Sequence, residues 1–420
     1  MPGLPWTRSN VPRPRFTRRR ADLTSGADRP AWRRLLVDHL DRQVLPTWTA
    51  PELCDTRYGG FFNILDPDGH PVGQDFKPLM AHLRILYVHA VAIARGHDTD
   101  GRLRRTIEDG LDFLERRFWD PEEPGWLHEV SAEGFLRDRQ KQMTVQVYVP
   151  YILAEIHRML GDERALGIAR KTFDLLERTG WDIVNGGYRN DHSRPDEDPV
   201  NADRDVGNQF HAMLALACLW RTDPEPRVRD RLEALYHLAT TRFVHPPSGH
   251  AHFRLARDWR PLPHEPSRPA PTLYGHNVEL TWYSLATAEA LGRDPAELRT
   301  WAEHAAAAFV RDGMTEQGAG LLFGHLDGPT TDRRVVWWVP AEAIIMFLRL
   351  WQLTGDSQYY RRFESVTRWT FTHLVDPRTG LWTTVADERG QRLLAQPGGT
   401  RWMGGLHVTR MLLEAERILG

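Results

Sequence analysis

Apolar residues recur along this chain in two kinds of segment that alternate. One kind is apolar on nearly every side, as in Ala341-Glu342-Ala343-Ile344-Ile345-Met346-Phe347-Leu348; the other keeps its apolar residues to one face and is charged elsewhere. The pattern predicts buried helices beginning near Pro78, Met143, Val206, Gly275, Val336 and Trp402, with an amphipathic partner between each and the next. Gly96, Gly161-Asp162, Gly292 and Gly355-Asp356 are stop signals for four of the buried helices.

Between helix pairs a glycine followed closely by aromatic residues returns six times, at Gly60-Phe61-Phe62, Gly125-Trp126, Gly187-Tyr188, Gly249-His250-Ala251-His252-Phe253, Gly320-Leu321-Leu322-Phe323 and Gly380-Leu381-Trp382. The spacings are 65, 62, 62, 71 and 60 residues. Several of these stretches run into an acidic turn with glycine, at Asp68-Gly69, Glu133-Gly134 and Asp387 to Gly390, and read as short hairpins. Six like loops mean six repeats. The last buried helix ends at the C-terminus without a partner, while the amphipathic segment 31–48 precedes the first loop without a mate. Joining the two closes a ring. The predicted fold is therefore all-α, an (α/α)6 barrel of twelve helices with short β-hairpin loops on one rim; an open solenoid would need polar caps.

Composition narrows the function. A formal net charge of −2 removes the basic field expected of a nucleic-acid or anionic-membrane partner, and no apolar run is long enough to span a bilayer. Two cysteines, Cys54 and Cys218, make no disulfide framework and fit a reducing, cytoplasmic setting. All but three basic residues are arginine, the exceptions being Lys77, Lys141 and Lys171, so Schiff-base nucleophiles are scarce. Residues 1–30 are rich in Arg and Pro and are expected to be a disordered extension, leaving 31–420 as one barrel domain, monomeric or a homodimer. A hydrophobic-then-cleavage signal segment is absent from that extension.

In such a ring each buried helix starts just after its loop, so six helix starts line one mouth, where polar residues on otherwise apolar helices are the candidates. The first helix offers Arg84, the second Gln146 and Tyr148, the third Asn208 and His211, the fourth His276 and Glu279, the fifth Trp338 and Glu342, the sixth His407 and Arg410. Residues three apart share a face, and the recurrence of histidine and arginine at one phase of a sixfold repeat is what a built site looks like. Histidine removes a proton next to a carbonyl at neutral pH, and arginine stabilises the enediolate that forms. Glu279 and Glu342 would orient a histidine or bind sugar hydroxyls, and Trp338 would stack on a pyranose ring. Neither a His-x-His nor a His-Glu-x-x-His spacing is present, so no metal is expected, and no glycine-rich phosphate loop implies a nucleotide cofactor. The histidine pair His250 and His252 reads as part of an exposed hairpin.

Three stretches, Gly275-His276-Asn277-Val278-Glu279, Trp337-Trp338-Val339-Pro340-Ala341-Glu342 and Met403-Gly404-Gly405-Leu406-His407-Val408-Thr409-Arg410, together with the repeat arrangement over residues ~31–420, resemble the N-acylglucosamine 2-epimerase superfamily, which includes cellobiose 2-epimerases and mannose isomerases. The resemblance implies the same barrel, no cofactor, His276 and His407 as acid and base, and His211 and Arg84 on the substrate oxygens. Cellobiose-acting members tend to carry Lys-x-Pro-Tyr where this chain has Met403 to Leu406, which favours a monosaccharide. Asn277 stands where many epimerases have an acidic residue, which would leave His276 less basic and one histidine dominant. The expectation is a mannose-type aldose to 2-ketose isomerase, mannose to fructose through a cis-enediolate. The alternatives are a sugar 2-epimerase of mannose/glucose, N-acylglucosamine or cellobiose type, an inverting glycoside hydrolase using Glu279 and Glu342, and a non-enzymatic sugar-binding or protein-interaction role.

Overall fold

The computed structural model describes residues 28–263, 270–326, 328–393 and 402–420, so most of the expected 1–30 extension lies outside the described residues. Helix α1 runs Arg29–His39, through a π segment Leu40–Val44, to a final turn Leu45–Trp48. The inner helices are α2 (Leu79–Ala94), α4 (Met143–Leu160), α6 (Val206–Thr222), α8 (Tyr274–Ala290), α10 (Trp338–Thr354) and α12 (Leu406–Leu419). Between them lie the outer helices α3 (Arg102–Phe113), α5 (Glu163–Thr179), α7 (Pro226–Thr241), α9 (Arg299–Asp312) and α11 (Ser357–His373).

The division follows from composition. Every residue of α2 from Leu79 to Ile93 is buried, whereas α5 buries only Ala165, Leu166, Ile168, Ala169, Thr172, Phe173, Leu175 and Leu176, one stripe at helical spacing. Each inner helix packs on the next, α12 packs back on α2, and α1 covers α12, which closes the (α/α)6 barrel. Gly96, Gly161, Gly292 and Gly355 take the left-handed backbone at the inner-helix ends, with φ of +81°, +71°, +71° and +70°, as the stop signals require.

The six glycine loops share one pairing. A residue past an outer helix bridges a residue at or just beyond the glycine, as Cys54↔Phe61, Trp119↔Trp126, Trp181↔Tyr188, Val244↔Ala251, Met314↔Gly320 and Val375↔Trp382. The acidic turns form a second hairpin, at Leu65↔Pro71, Val130↔Leu136 and Ala386↔Arg392, and also at Leu255↔Pro261. Short strands ahead of the inner helices pair with the following loop, for example Phe76–Pro78 with Glu129–Ser131 and Asp203–Asp205 with Arg254–Ala256, making a belt around the mouth.

Buried ion pairs tie this belt down. Asp55, Asp120 and Asp182 each accept backbone N–H bonds from the two residues that make their turn and pair with Lys77, Lys141 and Arg204 at 2.6, 2.9 and 2.9 Å. Two of the three lysines are thereby structural. The His250 and His252 pair, expected on an exposed hairpin, is buried instead, because the Gly249 turn lies directly against the backbone of α9; His250 Nε2 sits 2.8 Å from Asp312 Oδ2. No helix among the described residues is long and apolar enough to cross a membrane. Cys54 and Cys218 are both free.

Candidate active site

Six side chains, one from each inner helix, form a ring across the mouth: Arg84, Tyr148, His211, Glu279, Glu342 and Arg410. Each is the fifth or sixth residue of its helix, so equal phase delivers them to one level. Around the ring, Arg84 Nη2 is 3.4 Å from the Tyr148 hydroxyl, the Tyr148 and His211 rings are 5.6 Å apart, and His211 Nε2 is 3.7 Å from Glu279 Oε1. Glu342 Oε1 accepts from Arg410 Nη2 at 2.7 Å. Gly404, just before α12, packs on Arg84, whose guanidinium also donates to the Trp402 carbonyl.

Nearer the entrance lie His276 and His407, on α8 and α12, flanking the helix that carries Trp338. The half-buried Trp338 indole is 6.3 Å from the His276 ring and 6.1 Å from His407. Phe253 stacks on His276 at 6.1 Å, and Phe210 meets it edge-on at 5.1 Å. On the inward side, Arg410 donates to the hydroxyls of Tyr151 and Tyr283 at 3.0 and 2.9 Å, Tyr283 donates to Glu279 Oε1 at 3.1 Å, and Trp282 Nε1 donates to Glu342 Oε2 at 2.9 Å.

The protonation pattern follows from these partners. Burial pushes the Glu279 carboxyl up, but His211, His276 and His407 outweigh it and hold the group below the ordinary carboxylate range. Glu342 behaves alike, burial being overcome by Arg410 and His407. Both are carboxylates at neutral pH. Burial drags His407 down to about 4, helped by the Arg84 charge and opposed by Glu342, so its imidazole is neutral. His407 Nδ1, 2.6 Å from Glu342 Oε1, must then carry the proton, which leaves Nε2 as a proton acceptor. His211 donates from Nδ1 to the Gly207 carbonyl at 2.7 Å, and its Nε2 faces Glu279. Burial also lowers His276, with Glu279 and Asp205 opposing, and its Nδ1 has no hydrogen-bond partner among the described residues.

Of the residues expected from sequence, the structure brings together Arg84, His211, His276, Glu279, Trp338, Glu342, His407 and Arg410. It turns Gln146 elsewhere. Fully buried, Gln146 accepts from the Trp126 N–H at 3.0 Å and donates to the Trp126 carbonyl at 2.8 Å, clamping its own loop. Gln209 does the same to Tyr188, and Asn277 holds Ala251 N–H and the Gly249 carbonyl at 2.8 and 2.9 Å. Asn277 therefore faces its loop, and the expectation that it tunes His276 is overturned. Asn208 ties neighbouring segments together, accepting from Thr144 N–H at 3.1 Å and donating to Asn190 at 3.1 Å.

Tyr151, Trp282 and Tyr283 complete the centre without having been singled out as site residues, beside Tyr148, a candidate by its place on the second buried helix. Their signal was phase: Tyr148 repeats the position of Arg84 and His211, Tyr151 lies three residues on, and Tyr283 lies four beyond Glu279. Oxygen or nitrogen atoms of Glu279, Glu342 and His407 fall within 4.8 Å of one another, close enough to share a cation. Yet Glu342 already accepts from His407 and Arg410 on one oxygen and Trp282 on the other. A cation there would have to displace protein donors.

Fold and centre together define a helical-barrel protein with acid–base groups gathered at one mouth. The family model of N-acylglucosamine 2-epimerase (GlcNAc 2-epimerase) matches residues 59–403, and the chain belongs to that family. It is 25% identical over 395 residues to the cellobiose 2-epimerase of Bacteroides fragilis, covering 89% of this chain and 96% of that one. It is also 25% identical over 358 residues to the D-mannose isomerase of Thermobifida fusca, covering 82% and 84%. The solved cellobiose 2-epimerase of Spirochaeta thermophila superimposes with a TM-score of 0.82 at 28% identity, over 93% of this chain and 97% of that one.

Proposed function

We propose that this protein is a sugar isomerase that converts a free monosaccharide of mannose configuration to the matching 2-ketose, mannose to fructose, without a cofactor. The observation that carries the reading is the His407–Glu342 contact at 2.6 Å, a neutral imidazole with its acceptor nitrogen free, set beside Arg84 and Arg410. Once the sugar ring is open, a histidine takes the proton from C2 and the electron pair moves onto the carbonyl oxygen, giving the cis-enediolate. Arg84 is placed to stabilise that charge, with Arg410 holding Glu342 ionised. Return of the proton to C1 on the same face, with the O2 hydroxyl proton passing to O1, gives the ketose. Return to C2 on the opposite face, from the second histidine, gives the epimer.

Unequal histidines favour the ketose. His407 is anchored by a carboxylate whereas the His276 Nδ1 is unanchored, so a single histidine dominates C2-to-C1 transfer. The Met403-Gly404-Gly405-Leu406 segment favours a monosaccharide over a disaccharide. The second reading is a 2-epimerase, favoured by the presence of His276 and His407 on either side of the Trp338 helix and by the kinship with cellobiose 2-epimerases. An inverting hydrolase needs one carboxyl kept protonated as general acid, and both Glu279 and Glu342 are held ionised.

Incubation with mannose, glucose, cellobiose and N-acetylmannosamine in deuterated water, with products resolved by NMR, tests this. Fructose from mannose is the expected result. Glucose as the main early product establishes the epimerase reading instead, and no reaction with any of the four sinks the substrate assignment.

A further inference from the structure

In the first turns of two inner helices, glycines stand where a side chain would strike a ring of the site. A Cβ on Gly207, the second residue of α6, would lie 2.9 Å from His276 Cε1, 3.4 Å from its Nε2 and 2.9 Å from Asp205 Oδ1. A Cβ on Gly275, the second residue of α8, would lie 2.2 Å from two carbons of the Trp338 indole and 3.1 Å from a third. Neither glycine has the left-handed backbone that would demand glycine for conformational reasons. At the corresponding position of α4, Thr144 is not bare; it holds the Asn208 side chain from α6. In α4, α6 and α8 the second residue thus meets a group from the next helix.

We propose that Gly207 and Gly275 are positioning residues, their missing side chains forming the seats that fix the His276 imidazole and the Trp338 indole at the mouth. The assignment rests on the functional reading above for its kinetic form, since His276 is a proton-transfer group there and Trp338 a stacking surface for the sugar. The atoms a methyl group would meet are the far ends of these two side chains and, at Gly207, the Asp205 carboxylate that caps α6. Alanine at either site is therefore compatible with the helix, and is a better helix former than glycine. A merely structural glycine in a crowded core would lose stability on the same change.

The experiment compares Gly207→Ala, Gly275→Ala and a control, Gly167→Ala, whose added methyl meets nothing within 4 Å. Melting temperature, kcat and KM are measured for each on the sugar turned over by the wild type. Gly207→Ala is expected to keep its melting temperature while kcat falls by on the order of a hundredfold, the effect of misplacing a reacting group by about 1 Å. Gly275→Ala is expected to raise KM by about fivefold or more with kcat within about threefold, as a stacking surface shifts. The control should change neither. A folded Gly207→Ala enzyme with kcat within about threefold of wild type overturns the His276 seat. An unchanged KM for Gly275→Ala overturns the Trp338 seat.

Should Gly207→Ala fail to fold because Asp205 cannot yield, Gly275→Ala decides the principle alone. Should the wild type turn over none of the sugars, the functional reading fails but the seats remain testable. The His276 imidazole resonances, assigned by difference against His276→Gln, then titrate at a different midpoint in Gly207→Ala if the seat is real, and at the same midpoint if it is not.

Discussion

Buried charge occurs in two regions of this molecule and does different work in each. In the belt, Lys77 Nζ donates to Asp55 Oδ2 and to the carbonyls of Gly59 and Ala132, each at 2.6 Å, so all three ammonium protons are used. In the ring, Glu342 is equally saturated by His407, Arg410 and Trp282, yet the site's histidines are not: His276 Nδ1 lacks a partner among the described residues, and the anchored Nδ1 of His407 leaves its Nε2 for a substrate. A saturated pair specifies structure. An arrangement that anchors its carboxylate and leaves imidazole nitrogens open is ready to move protons.

Breaking each region should therefore fail in a different way. His407→Ala removes a proton-transfer group from the mouth, and turnover should fall by about 10²–10⁴-fold with the melting temperature little changed. Activity above about a hundredth of wild type refutes the role. Lys77→Met leaves Asp55 buried without its cation, and should cost about 3–5 kcal/mol of stability in chemical denaturation while the folded fraction keeps its kcat. Loss of kcat per folded molecule would erase the distinction between belt and centre.

Acid sharpens the same contrast from the side of stability. Burial pulls His39, His82, His89 and His192 down to about 4, each kept neutral inside the fold. The unfolded chain, with histidines near ~6.5, binds more protons between ~6.5 and ~4, so stability falls as pH drops through that window and is unaffected by these groups above it. The melting temperature should decrease by at least about 5 °C from pH 7 to pH 5, most visibly if His82 and His89, packed around Phe61, carry the effect. A His82→Leu, His89→Leu double variant should flatten the dependence. The smallest expected effect is that of a chelator, which should leave the rate unchanged, since protein donors occupy both oxygens of Glu342. Activity lost to a chelator and restored by one divalent ion would make Glu279, Glu342 and His407 a metal centre.

The six repeats, the alternation of buried and amphipathic helices, and their glycine ends could be read from the chain because each is a local property. Helical periodicity needs only neighbours within a few turns, and Gly161 or Gly355 ends a helix by its own backbone freedom. The phase of the polar residues was legible for the same reason, so eight of the expected residues meet at one mouth. What local pattern left open was which of two polar residues faces the axis. Gln146 and Tyr148, Gln209 and His211, and Asn277 and Glu279 are each two apart, about 200° around a helix, so one member looks inward and the other back to its loop. Only the packing of α4, α6 and α8 against both neighbours and belt sets that rotation, giving Gln146 to the Trp126 backbone and Tyr148 to Arg84. His407 beside Glu342, 65 residues away, is likewise a fact of helix packing, since the partner that leaves its Nε2 free comes from the neighbouring inner helix.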